Sequence, residues 1–195
     1  MNLLPSTEIE AVNEMLATIG EAPIASLPTS GPSEPYVALT ILHKTSRTLQ
    51  QQGWSFNTED AVELTPDSEG YINLPTTTLK VDIQYSLDDV VQRGTRLYNK
   101  TKHTFVFTLP VKVCLVTFLA FNDLPQAAKD YITIKASRNF SKKVLGSETL
   151  HNLTEGDEIE ARSAFLEAES DSGDYSIFGS ISTGSILNRG GYFVG

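Results

Sequence analysis

The sequence predicts an α+β chain: a bundle of about four helices with a small antiparallel β-sheet inserted between the second and the third. Three observations carry this. Apolar residues recur at helical spacing near both ends of the 195-residue chain. Between Phe56 and Phe121, β-branched and aromatic residues come instead in short runs, broken by the turn-prone pieces TPDSEGY, NLPTTT and QRGTRLYNKTKH. Gly20, Gly53 and Gly146 each follow a helical pattern, where a left-handed closing residue is expected.

Each element has its own local signals. Ser6 or Thr7 caps a first helix whose face is Ile9, Val12, Leu16 and Ile19, in steps of three, four and three. Residues 21–35 are rich in Pro and Ser and read as a loop. Ser33, with Pro35 just inside, opens a second helix. Its stripe is Leu39, Leu42, Ser46 and Leu49, flanked by Val37, Ile41 and Thr45, and it ends at Gly53.

In TLKVDIQYS, Leu79, Val81, Ile83 and Tyr85 face one way and Lys80, Asp82 and Gln84 the other, the alternation of a half-buried strand. HTFVFTLPVKVCLVTFLAF is expected to hold at least two more strands, joined at Pro110. A third helix follows, with Asp123 as cap and Pro125 in its first turn. Its face is Leu124, Ala128, Tyr131, Ile132, Lys135, Phe140 and Val144. A fourth starts near Thr154, with Ile159, Ala161, Phe165 and Leu166 on its apolar side. Core positions of the helical part are Val12, Leu16, Ile19, Trp54, Phe56, Tyr131 and Phe140. Trp54 and Phe56 flank Ser55, so both turn to one side of an extended segment.

These patterns divide the chain into a helical domain of residues 1–55 with 121–176, a β-rich insertion at 56–120, and a Gly/Ser-rich C-terminal tail at 177–195. The tail keeps Ile, Leu, Tyr and Phe, which a solvated linker would lack, so it either packs on its own chain or docks on a partner.

Composition excludes several classes. The net charge is −9, which argues against a tight grip on nucleic acid but not against a surface past which DNA slides. Cys114 is the single cysteine, so no intrachain disulfide forms. It sits in an apolar run and reads as a small buried hydrophobe. The N-terminal MNLLPSTEIEAV has no basic segment before an apolar one and does not read as a signal peptide. The run from Val111 to Phe121 is too short to span a membrane, so a soluble protein in a reducing cytosol is expected. No phosphate-binding glycine loop, nucleophile elbow or metal-ligand spacing is present, so neither cofactor nor metal is expected. His43, His103 and His151 lie far apart in the chain.

Charge is unevenly placed. Residues 155–174 carry Glu155, Asp157, Glu158, Glu160, Glu167, Glu169, Asp171 and Asp174 against Arg162 alone. The helix before them carries Lys129, Lys135, Arg138, Lys142 and Lys143 against Asp130. Two solvated helix faces that neutralise each other within one chain is the plainer account. The sharper one is a head-to-tail subunit interface using Lys135, Arg138, Lys142, Glu158 and Glu160.

At AVNEMLATIGEAPI, QQQGWSFN and NDLPQAAKDYITIKASRNF the sequence resembles the tail tubular protein A family, the head-to-tail adaptors or gatekeepers of short-tailed bacteriophages. The blocks lie in the two helical ends, and the likeness is weak from Thr58 to Leu109. The resemblance implies a mostly helical protomer with a β-rich insertion, twelve copies of which form a ring beneath the portal protein. That ring would hold a tail nozzle of the tail tubular protein B type, with tail fibres nearby, in a virion assembled in the host cytoplasm. Its work would be mechanical: joining head to tail, helping retain packaged DNA and forming part of the ejection channel. Double-stranded DNA would pass without sequence-specific binding, and an acidic lumen built from residues 155–174 would keep phosphates from adhering.

No catalytic residue is implied. Docking on portal or nozzle is expected at the loops around Asp67, Tyr71, Gly94 and Lys100 and in the tail at Ile177 and Phe178. Two other classes stay open: a tail-associated polysaccharide-degrading hydrolase, needing two carboxylates across a cleft, and a monomeric β-rich binding module.

Overall fold

The computed structural model describes residues 6–83, 88–146 and 148–172. It is an α+β fold with four α-helices and a small antiparallel sheet.

Helix α1 spans Glu8–Ala17. Thr7 caps it through a capping box: the Thr7 hydroxyl accepts from the Glu10 N–H, and the Glu10 carboxylate accepts from the Thr7 N–H at 2.8 Å. Its buried face is Ala11, Val12, Met15 and Leu16, with Ile9 and Ile19 half-buried at the edges. The expected face was therefore centred slightly wrong, because short Ala11 and flexible Met15 also turn inward. Asn13 clamps the extended segment that follows, donating to the Ile24 carbonyl at 3.1 Å and accepting from its N–H at 2.8 Å. That bond pair returns Ile24 and Leu27 to the helical core.

Helix α2 spans Glu34–Gln50, capped by the backbone of Ser33 with Pro35 in its first turn. Ala38, Leu42, Thr45, Ser46, Leu49 and Gln50 are buried, while Leu39 lies at the margin. Gly53 has φ +81°, and a β-carbon there would come within 3.1 Å of Val116, so glycine suits both the turn and the close approach.

Three strands form one antiparallel sheet in the order β1-β5-β2: β1 Thr58–Leu64, β2 Thr78–Ile83 and β5 Val111–Thr117. The expected alternation is present from Leu79 to Ile83, with Val81 buried and Lys80 and Asp82 exposed, while Gln84 and Tyr85 lie outside the described residues. A bulge lies between Glu59 and Val62 of β1, where Ala61 takes φ +55°. The central strand is the last in sequence. It is buried on both sides, Val113 and Leu115 toward the β core and Val116 toward the closing turn of α2.

Two expectations fail here. Residues 103–110 form isolated bridges rather than a second strand, so the long apolar stretch holds one strand, not two. QRGTRLYN, read as a turn-prone separator, is mostly a β-hairpin of β3 Val90–Arg93 and β4 Arg96–Asn99. Arg93 and Arg96 face solvent and Asn99 is buried, while Val90 and Leu97 enter the β core with Ile72, Leu74, Phe107 and Val113.

Helix α3 spans Gln126–Leu145 and ends at Gly146 with φ 62°. Pro125, not Asp123, is its cap residue; Asp123 belongs to a preceding 3₁₀ turn. Val144 is exposed and Lys129 is buried, its ammonium donating to the Asn122 carbonyl at 2.9 Å. Helix α4 spans Glu148–Ser172, starting earlier than expected. Among the α4 side chains described, Phe165 is the large apolar residue that is buried, with Ala161 partly so; Ile159 and Leu166 point outward. Phe165 stacks on Tyr131 with centroids 5.7 Å apart and meets Trp54 edge-on at 4.7 Å and Phe56 at 6.5 Å. One aromatic group thus ties α4, α3 and the 54–56 segment together.

Candidate functional site

The charged seam between α3 and α4 lies within one chain. Arg138 donates to the Glu158 carboxylate at 2.7 Å and lies 3.6 Å from that of Glu155; Lys135 is 3.5 Å from Glu158. Burial raises the Glu158 pKa, but hydrogen bonding to Arg138 and the charge of Lys135 outweigh it and hold the carboxyl below its ordinary value. The Tyr131 hydroxyl, which accepts from Lys135 at 3.1 Å, together with Glu158 pushes the lysine pKa up. Three of the five residues assigned to a subunit contact therefore meet in their own chain. Lys142 and Glu160 are exposed and have no ion pair among the described residues.

Two open grooves flank α3. One, of about 570 Å³, lies among α1, α3 and α4 and carries Glu14, Asp130, Asp157 and Glu160. The other, of about 520 Å³, lies between α2 and α3 and carries Lys44, Lys135 and Lys143. Glu14 and Lys44 were not singled out from the sequence. Helical phase was legible there, but which helices stand side by side was not.

The β unit presents a second surface. Asp67 closes its loop by accepting from the N–H groups of Glu69 and Tyr71 at 3.0 and 2.9 Å and from the Asn73 amide at 3.2 Å. Gly70 has φ +84°, and a β-carbon there would lie 2.8 Å from Val106. Asn73 bridges to Arg96, and the Leu74 N–H donates to the Thr95 carbonyl at 2.8 Å. The fold therefore brings the loop of Asp67 and Tyr71 beside the hairpin tip at Gly94. Arg96 lies 4.2 Å over the Tyr71 ring and Arg93 lies 3.6 Å over the Tyr98 ring. Lys100 sits past the far end of β4, paired with Asp89, next to Lys102 and Asp88 at 2.7 Å. Gly94 and Lys100 are thus at opposite ends of the hairpin. Ile177 and Phe178 lie outside the described residues.

The chemistry of the remaining reactive groups is quiet. Burial, then Asp60, pushes the Cys114 thiol up to about 11, so it stays protonated at neutral pH. It is half-buried, not fully enclosed. His43 pairs with Glu8, and His103 stands in a turn with φ 54°. Among the described residues, no three His, Cys, Asp or Glu side chains gather as a metal group, and no helix is long and apolar enough to cross a membrane.

A family model described as "Tail tubular protein" matches residues 9–175. The tail tubular protein A of Klebsiella phage KP34 is 32% identical over 125 residues, which cover 64% of this chain and 66% of that relative. The family match runs through the helical bundle, the sheet and the hairpin alike. The chain belongs to the tail tubular protein family.

Proposed function

We propose that this structural phage tail protein is a head-to-tail adaptor. Copies of the chain form a ring, of twelve in the virion, that joins the portal protein to the tail nozzle. The ring helps retain packaged DNA and forms part of the ejection channel. The observation that carries the reading is the extent of the family match, 9–175, which takes in nearly every described element. The work is mechanical, and no side chain is assigned a catalytic role.

On this reading the helical part, 1–55 with 121–176, supplies the ring contacts, with Lys142 and Glu160 among them. The insertion at 56–120 and the tail at 177–195 dock on portal or nozzle. The paired edge at Asp67, Tyr71 and Gly94 is one docking surface, and Lys100 marks another at the far end of the hairpin. Glu167 and Asp171 are exposed on α4 and are assigned to the channel wall, where they repel DNA phosphates. Glu169 is not, because it is buried and accepts from the Ser55 N–H.

The test is mass, by native mass spectrometry or light scattering, with and without a portal ring. Joining the portal as a high-order ring is expected. A chain that stays monomeric beside the portal under assembly conditions overturns the reading.

A further inference from the structure

The two grooves beside α3 are complementary in charge, and the rigid helix between them keeps them apart. Asp130, Ile134 and Ser137 step by four and three along one side of α3, while Lys135, Asn139 and Lys143 step by four along another. At about 100° per residue the two stripes are roughly half a turn apart. The residues lining the first groove include four carboxylates and no lysine or arginine. Those lining the second include three lysines and no carboxylate. Of these lysines, Lys135 is engaged by Glu158, whereas Lys44 and Lys143 have no ion pair among the described residues.

The acidic groove carries a second sign of a missing occupant. Asp130 has a neutral donor, the Gln126 amide at 2.6 Å, but no ion pair among the described residues. Partial burial and then the charge of Asp130 hold the Glu14 carboxyl above its ordinary value. A compact ammonium, with three donors, is a group that would satisfy these carboxylates.

We propose that the Lys44 and Lys143 ammonium groups of one copy seat in the Glu14, Asp130, Asp157 and Glu160 groove of the next copy. The occupant is a second copy of this chain, because the complementary patch is its own and lies on the far side of the same helix. Patches on different sides make a head-to-tail contact, which closes into a ring when the rotation permits. The proposal rests on the ring reading above and assigns the residues of its interface.

Charge reversal on the full chain, assembled on a portal ring, tests it. The double variants Lys44→Glu with Lys143→Glu, and Asp157→Lys with Glu160→Lys, change exposed side chains, and unchanged Trp54 fluorescence and melting would show that each folds. Each variant alone is expected to lose ring assembly at least roughly tenfold. An equimolar mixture should recover it, since alternating copies then set acid against base at every contact.

Normal rings from either double variant alone would overturn the interface and leave the ring reading standing. Failure of the mixture to assemble would overturn the charge pairing. Wild-type chain that forms no ring would overturn the ring reading itself. If both variants assemble normally while Asp157→Lys with Glu160→Lys abolishes a wild-type melting shift with spermidine, the groove takes a free cation and the proposal fails.

Discussion

The side-chain amide of Gln50 grips the backbone of Leu119 in both directions, its nitrogen donating to the Leu119 carbonyl at 3.0 Å and its oxygen accepting from the Leu119 N–H at 2.7 Å. The same amide nitrogen reaches Ser46 at 3.0 Å. Asn57 extends the joint, donating to the carbonyls of Gln50 and Thr117 at 3.0 and 2.9 Å. The last turn of α2 is thereby bonded to the chain leaving β5, where the helical core and the β core adjoin. Gln50→Leu keeps the volume but strands both Leu119 groups. Each buried unpaired group costs about 1–3 kcal/mol, so urea unfolding should show a loss of roughly 2–5 kcal/mol. A loss below about 0.5 kcal/mol, the size of a surface change, would show that the clasp does not join the two parts.

Phe165 is the anchor of α4. Phe165→Ala empties the space among Tyr131, Trp54 and Phe56 and should cost about 3–5 kcal/mol. Trp54 is the single tryptophan, so its fluorescence reports the site directly. A red-shifted emission and a lower unfolding midpoint are expected. Ile159→Ala, on the outer face of the same helix, should move stability by less than about 0.5 kcal/mol. Equal effects would contradict the placement of the two side chains.

Gly70 holds the loop that carries Tyr71. Gly70→Ala puts a β-carbon against Val106 and asks an L-residue to take φ +84°. Strain of about 1–3 kcal/mol is expected, with faster amide exchange at Tyr71 and Phe107, whose N–H groups close the loop on Asp67 and Gly70. Gly94→Ala has open space around it and carries only the backbone penalty, so it should cost less.

Glu158 makes the α3–α4 pairing sensitive to acid. Its folded pKa lies below the ordinary 4.5, so its contribution is present above that value and is lost as pH falls through the folded pKa. Glu158→Gln should remove this acid-dependent part, lowering stability at pH 7 and leaving a flatter profile below about pH 4.5. Unfolding midpoints measured from pH 7 to pH 3 would decide it. A variant profile parallel to the wild type would show that Glu158 does not act through its charge.

Some of the candidate site was legible before the structure. The two charged helices were evident from composition, and Lys142 and Glu160 remain candidates for contact between copies. The loops around Asp67 to Tyr71 and Gly94 to Lys102 read as docking segments in the sequence. Only the fold set Tyr71 beside Gly94 and sent Lys100 to the other end of the hairpin. Gln50 and Asn57 stand in QQQGWSFN, a block noticed for its family likeness. Their role as a joint was invisible because their partners, Thr117 and Leu119, lie 60 residues or more along the chain.

Short-range physics is legible along the chain. Thr7 and Ser33 start helices, Gly20, Gly53 and Gly146 end them with positive φ, and alternation from Leu79 to Ile83 makes a strand. Each of these depends on a few neighbouring residues and on backbone sterics. The tertiary structure decided which partner each surface meets. It put the last strand in the middle of the sheet and turned Phe165 inward while leaving Ile159 and Leu166 in water. It joined Arg138 to Glu158 within one chain and placed the remaining carboxylates and lysines on opposite sides of α3. Coulomb attraction and apolar burial act on proximity in space, and proximity across long stretches of chain is created only when the elements pack.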